Sequence, residues 1–454
     1  MSLAPNILDQ VCSPPPPQDT GAVPPPEPEE VAAESALPNT ARPSLGQRLA
    51  AGVSDPVLRI LTTATFVMTL GRGVFLTLTV LYFTLIVGLS AVEVATVLTV
   101  SSAVGAVTSV LGGQLADRFS ARRLMIVFEV IVGTALICYV LADTFAIVLL
   151  VACIYSGANQ AAHSVKSAII ARAFEGKARV SARAVLHTVT NLGIAIGSAA
   201  GGVALLVNTG EAYRITMLVA GAVILISVIP LFRLPTRVNA PVLVRLPQAQ
   251  QARPGRSPFK DRRYLTLTVL SGIFGLHFGL AEIGLPLWIL HSTDAPVAMV
   301  SVILILNTII VIAFQIPLSR GTHDIRHAGR VTAIAGVLMA VACFSYAASA
   351  GVSVWVAITF LVVATLAHTF AEVLSSAGFW GLSFELADPH RAGAYQGAFG
   401  LSWSIAAMAS PLVVTLAVTN GTLGWATLAT VFLFSALGVW WIARRAPVAH
   451  SLVS

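Results

Sequence analysis

Charge is missing from this chain over lengths that match a lipid bilayer, and that absence recurs along nearly the whole sequence. Residues 94–116 run 23 positions without Asp, Glu, Lys or Arg, residues 331–371 run 41 and residues 392–443 run 52. About 20 apolar residues cross a bilayer as a helix. Backbone groups in hydrocarbon must be paired within helices or closed barrels. A composition of 56% hydrophobic and 10% charged residues leaves too little polar surface for a water-soluble globule of 454 residues. The chain therefore reads as an all-α membrane protein. Of its four cysteines, Cys138, Cys153 and Cys343 lie in apolar runs and Cys12 in a polar stretch, so no disulfide framework or metal spacing can be built from them.

Uncharged length and Gly, Pro, Asn or charge punctuation predict twelve spans: 58–88, 93–116, 122–142, 145–171, 182–207, 213–233, 264–290, 296–318, 330–350, 353–384, 392–419 and 422–443. The longest runs are divided at Ser349-Ala350-Gly351 and at Thr419-Asn420-Gly421-Thr422. Of 27 Lys and Arg, 24 fall in the two ends and the even-to-odd connections, whereas the opposite connections hold only Arg214. The net charge of +7 thus reflects topology rather than nucleic-acid binding. By the positive-inside rule both termini are expected in the cytoplasm, in a multi-pass protein of the cell membrane.

Five domains follow. Residues 1–55 hold 11 of 24 prolines and seven acids and read as a disordered, Pro-rich acidic cytoplasmic tail without the features of a signal peptide. Residues 56–233 form a first six-helix bundle, 234–263 a basic linker, 264–445 a second bundle and 446–454 a short tail. The halves echo each other: Phe174-Glu175 and Arg179 recur as Phe384-Glu385 and Arg391. Such repeats place a substrate site near the midplane between the halves.

The second and third spans are joined by Gly113-x3-Asp117-Arg118-x-Ser120-x-Arg122-Arg123, an acid, three bases and a glycine at fixed spacing. With the six-plus-six organisation and the basic central loop, this resembles motif A of the major facilitator superfamily, with Ser120 where that family usually has glycine. The resemblance covers residues 57–445 and implies twelve transmembrane helices in two pseudo-symmetric bundles. The fifth span carries Gly193-x3-Gly197-Ser198-x2-Gly201-Gly202. It is similar to the antiporter signature of the drug:proton exchangers in that superfamily, with Ser198 in place of proline, and it also reads as small-residue helix packing. The fourth span lacks the arginine those exchangers carry near its middle, Ile154-Tyr155-Ser156-Gly157 standing there.

Ionisable side chains inside spans cost about 2.5–3.5 kcal/mol on insertion scales, which makes each one a candidate site. Glu372, Glu282 and His368 are the proton-coupling candidates; His368 lies one turn before Glu372 on the same helix face. Arg72, in Gly71-Arg72-Gly73, is a counter-charge for an anionic substrate group or a structural ion pair with a glutamate. Asn159, Gln160, His163, Asn191, His277, Asn307, Trp380 and Trp403 are further cavity candidates. Glu129 is expected to support the basic loop, and Lys166 to snorkel to the interface. In the gating loop, Asp117 is expected to accept hydrogen bonds from the start of a facing helix, the eleventh, while Arg118, Arg122 and Arg123 hold the charge cluster together.

No phosphate-binding loop or clustered catalytic motif is present, which points away from a primary pump and from an enzyme. No cofactor or metal is called for. The reading is a monomeric secondary transporter, with a small-molecule substrate, protons and the lipid bilayer as its partners, exporting a small amphipathic molecule by alternating access. A proton-coupled importer of a small organic solute and a nontransporting sensor are the alternatives.

Overall fold

The computed structural model describes residues 55–207, 209–239, 255–296 and 299–446. The Pro-rich tail, most of the basic linker and the last eight residues lie outside these, as does the side chain of Glu282. The described residues form helices joined by short turns: α1 (Pro56–Leu81), α2 (Ala91–Arg118), α3 (Ala121–Cys138), α4 (Phe145–Ala173), α5 (Gly176–Val207) and α6 (Gly210–Ile226). After the linker come α7, α8 (Met299–Leu318), α9 (Ile325–Ala348), α10 (Val354–Glu385), α11 (Ala392–Thr419) and α12 (Gly421–Arg444). Eleven are single helices long and apolar enough to cross a membrane.

The exception is α7, which is built in pieces. Arg262–Gly275 is followed by a turn at His277–Gly279, a π-helical turn at Leu280–Gly284 and a last segment, Leu285–Ser292. Gly275, Gly279 and Gly284 loosen this stretch, and Pro286 removes an amide that a continuous ladder would need. The two long uncharged runs divide where small residues predicted. Gly351 (φ 66°) turns the chain between α9 and α10, and Gly421 (φ 61°) turns it between α11 and α12; both are backbone states that side chains with a Cβ resist.

Helix pairing repeats with each number advanced by six. α1 lies against α5 and α6, α2 against α4, and α3 against α4 and α6; α7 lies against α11 and α12, α8 against α10, and α9 against α10 and α12. Without a hydrophobic drive between helices in lipid, small residues decide where backbones approach. Gly193, Gly197 and Gly201 of α5 seat against Thr69, Leu70 and Val74 of α1. The hydroxyl of Ser198 donates to the Gly73 carbonyl at 3.2 Å. The α5 glycine pattern thus has a packing role, except that a Cβ on Gly202 would meet nothing within 4 Å.

Between the halves the closest crossing is α2 on α11. A Cβ at Gly113 would lie 2.2 Å from the Gly393 carbonyl oxygen, and one at Gly397 would lie 2.7 Å from the Ser109 carbonyl oxygen. Gly113→Ala and Gly393→Ala are each expected to cost about 1–3 kcal/mol through overpacking. Gly202→Ala serves as a neutral control. Unfolding midpoints of the purified protein in detergent check this, and equal midpoints for all three variants would refute it.

Candidate functional site

The connections α2–α3, α4–α5, α8–α9 and α10–α11 lie at one end of the helices, the basic face. Near this face the halves are closed on each other in layers. Deepest, the Gln160 side-chain amide on α4 donates to the Ser404 hydroxyl on α11. Next, the Ser109 hydroxyl donates to the Gly397 carbonyl at 3.0 Å and meets the Ser164 hydroxyl at 3.2 Å. At the surface layer, Asp117 accepts from the backbone amides of Gly393 at 2.8 Å and Ala394 at 2.7 Å, so its carboxylate sits on the first turn of α11. Amides there lack intrahelical partners and the helix dipole favours an anion.

The base beside Asp117 is Arg172 at the end of α4, which donates at 2.8 Å. This corrects the expectation that Arg118, Arg122 and Arg123 hold the cluster together. Arg118 and Arg123 are exposed, and Arg122 donates to the Leu234 carbonyl at 3.2 Å beyond α6. Ser120, at the glycine position of the loop pattern, caps α3 by accepting from the Arg123 amide. The same face is closed further by Arg179 to Glu385 at 3.1 Å and by the Arg183 guanidinium, 3.6 Å from the Trp380 ring centre. Trp380 therefore belongs to the closure and is absent from the cavity wall where the sequence reading put it.

On the other side of this closure lies a cavity of about 420 Å³, lined by α1 and the turn that follows it, α2, the turn that follows α3, α4 and α11. Arg72, Asn159 and Gln160 line it, together with Phe75, Phe83, Tyr139 and Tyr155 and the hydroxyls of Ser101, Ser102 and Ser156. The Arg72 guanidinium contacts His163 Nε2 at 3.1 Å, so His163 stands behind the wall as a support. Asn191 is half-buried on α5, outside this lining. The aromatic wall and Arg172 escaped the sequence reading. The α4 stripe at 152, 155, 156, 159 and 160 recurs at helical spacing and could have signalled that wall; Arg172 resembled any other loop-end base.

Behind the cavity sits a buried charge cluster. Glu129 on α3 is 2% exposed, and its Oε2 has no hydrogen-bond partner; Lys166 on α4 is 3% exposed. Glu129 lies within electrostatic reach of Lys166 and Arg72. This corrects two expectations: Lys166 does not snorkel, and Glu129 is not a support of the basic loop. A long stem reaches water only when its helix face is open, and α4 is enclosed here by α2, α3 and α11.

The second half is arranged differently. His368 contacts His277 at 3.3 Å and the Tyr346 hydroxyl at 3.3 Å, so its described contacts run across helices rather than along α10 to Glu372. Glu372 is 8% exposed and accepts from the Asn307 side-chain amide at 2.9 Å. Trp403 packs between Phe278 and Phe399. Neither His277, Asn307, Trp403 nor Glu372 lines the cavity.

Residues 61–411 match the family model described as Major Facilitator Superfamily. No curated protein sequence matches the chain. Among solved structures, the human organic anion transporter MFSD10 (TETRAN) superposes with TM-score 0.63 at 17% identity, over 85% of this chain and 99% of that one. The proton:xylose symporter XylE gives 0.63 at 13% identity, over 85% and 95%. A bacterial homologue of the iron transporter ferroportin, in an outward-facing state, gives 0.65 at 12% identity, over 86% and 98%. At these identities the likeness is one of fold, while the family match spans most of the chain. The sequence match, the twelve-span helical architecture and the paired six-helix bundles together make this chain a member of the major facilitator superfamily, a multi-pass membrane transporter and not an enzyme.

Proposed function

We propose that the protein is a monomeric, proton-coupled exporter in the cell membrane, moving a small amphipathic molecule with an acidic group by alternating access. The observation that carries the substrate class is Arg72. It is the one cation in a wall of aromatic rings, aliphatic side chains, hydroxyls and amides, and His163 orients it. A cation in a weakly hydrated wall recognises an anionic group, while Phe75, Phe83 and Tyr155 supply apolar surface. The positive-inside rule puts the basic face in the cytoplasm, so the arrangement described corresponds to an outward-facing state. Export rather than import rests on the similarity of the α5 glycine pattern to the antiporter signature.

For coupling, the geometry favours Glu129 over Glu372 and His368, and the side chain of Glu282 lies outside the described residues. Glu129 is a buried carboxyl whose Oε2 lacks a hydrogen-bond partner, beside Lys166 and in reach of the Arg72 that faces the cavity. Protonation neutralises it, and ionisation pairs it with the two cations. A change in the charge of Glu129 therefore changes the field at Arg72, which ties the proton site to the substrate site.

Three outcomes test this reading in vesicles holding the purified protein. Arg72→Gln should weaken transport of acidic amphipathic substrates roughly 10- to 100-fold, the equivalent of about 1.5–3 kcal/mol for a charge-assisted hydrogen bond. Uncharged analogues should be little affected; equal loss for both would remove Arg72 from recognition. Glu129→Gln should abolish stimulation by a pH gradient while substrate exchange without a gradient persists, and Glu372→Gln should keep the stimulation. The opposite pattern moves coupling to Glu372. Asp117→Asn should slow transport and raise labelling of a cysteine placed at Ser164, from the basic face, in a cysteine-free background. Unchanged labelling would mean that Asp117 does not latch this closure.

A further inference from the structure

Between the first turn of α9 and the last turn of α12 is a pocket of about 460 Å³ lined by Arg326, Arg330, Trp440 and Arg444. It lies on the basic face, remote from the transport cavity. None of the three arginines makes an ion pair among the described residues. Asp324, two residues before Arg326 in the chain, already caps α9, accepting from the His327 amide at 2.6 Å. The arrangement is unfavourable by itself. Arg326 and Arg330 are four residues apart on one helix face, at the end where the helix dipole is positive, and like charges so placed repel. Arg444 adds a third positive charge from a second helix. Three converging cations without a counter-charge among the described residues call for an anion.

We propose that this groove binds the phosphate of an anionic membrane lipid. Arginine's planar fork suits phosphate oxygens, and basic pockets between membrane helices accept anionic headgroups. Two neighbouring contacts put the groove at headgroup depth: the Arg444 guanidinium lies 5.5 Å from the Trp440 ring centre, and Arg445 stacks 3.8 Å over Trp441, which is half exposed. Tryptophan and arginine side by side mark the membrane–water boundary. α9 and α12 pack tightly at this level, since a Cβ on Gly329 would meet the Ala443 methyl at 2.5 Å. A headgroup seated there bridges two helices of the second half and holds their ends together.

The full-length protein in nanodiscs tests the assignment, with discs of phosphatidylcholine alone compared with discs containing phosphatidylglycerol. The wild type should show an upward shift in unfolding midpoint with phosphatidylglycerol, and native mass spectrometry should retain bound lipid. The triple variant Arg326→Gln, Arg330→Gln, Arg444→Gln should bind on the order of 100-fold more weakly, at about 1 kcal/mol per basic residue. Arg330→Lys, which keeps the charge, should retain most of the shift. A wild type with equal midpoints in both discs overturns the proposal without any variant. Millimolar inorganic phosphate in phosphatidylcholine discs is the second arm: the same shift there would make this a free-phosphate site and refute the lipid assignment. So would retention of the full lipid shift by the triple variant.

Discussion

The rest of the closed face depends on one carboxylate. Asp117 joins the end of α2 to the first turn of α11 and to Arg172 on α4, so three helices from two halves share one anion. This is possible because Gly113 and Gly393 let the two backbones approach until no Cβ would fit. Hydrogen bonds to a charged group contribute about 1.5–3 kcal/mol each. Removing Asp and Arg from water offsets much of that. A modest net energy is what a reversible closure requires, since ligands and protons can shift a two-state equilibrium only by their differential affinities.

The two halves repeat their helix pairing but not this contact. Asp324, in the corresponding connection of the second half, caps its own helix α9. The start of α5 is instead held by Arg179 to Glu385 and by Arg183 over Trp380. The closure is therefore an aspartate-centred clamp at the start of α11 and an ion pair with a guanidinium–ring contact at the start of α5.

Buried charge is also divided unequally. Arg72, Glu129, His163 and Lys166 gather in the first half, around the cavity. The second half holds His368 between His277 and Tyr346, and Glu372 with Asn307. A bundle that carries its cations beside the cavity and a partner bundle joined by hydrogen-bonded polar pairs give the cavity one charged wall.

The architecture was largely legible in the sequence, because it follows from local quantities. Uncharged length sets each span, Gly351 and Gly421 mark turns inside runs of 41 and 52 residues, and the sidedness of arginine sets the order of connections. Even the meeting of Asp117 with α11 was legible, since an acid in a basic turn seeks a helix start. The break in α7 was not, although its glycines and Pro286 were visible, because a π-helical turn depends on what packs against it. The site was legible only in part. Arg72, Asn159 and Gln160 face the cavity, but Trp380 and Asn307 face elsewhere, and Arg172 was indistinguishable from its basic neighbours. Spacing along one helix shows which residues share a face, as it did for His368 and Glu372. It does not show which helix that face meets, and only the tertiary packing decided that His368 would find His277 and that Lys166 would be enclosed beside Glu129.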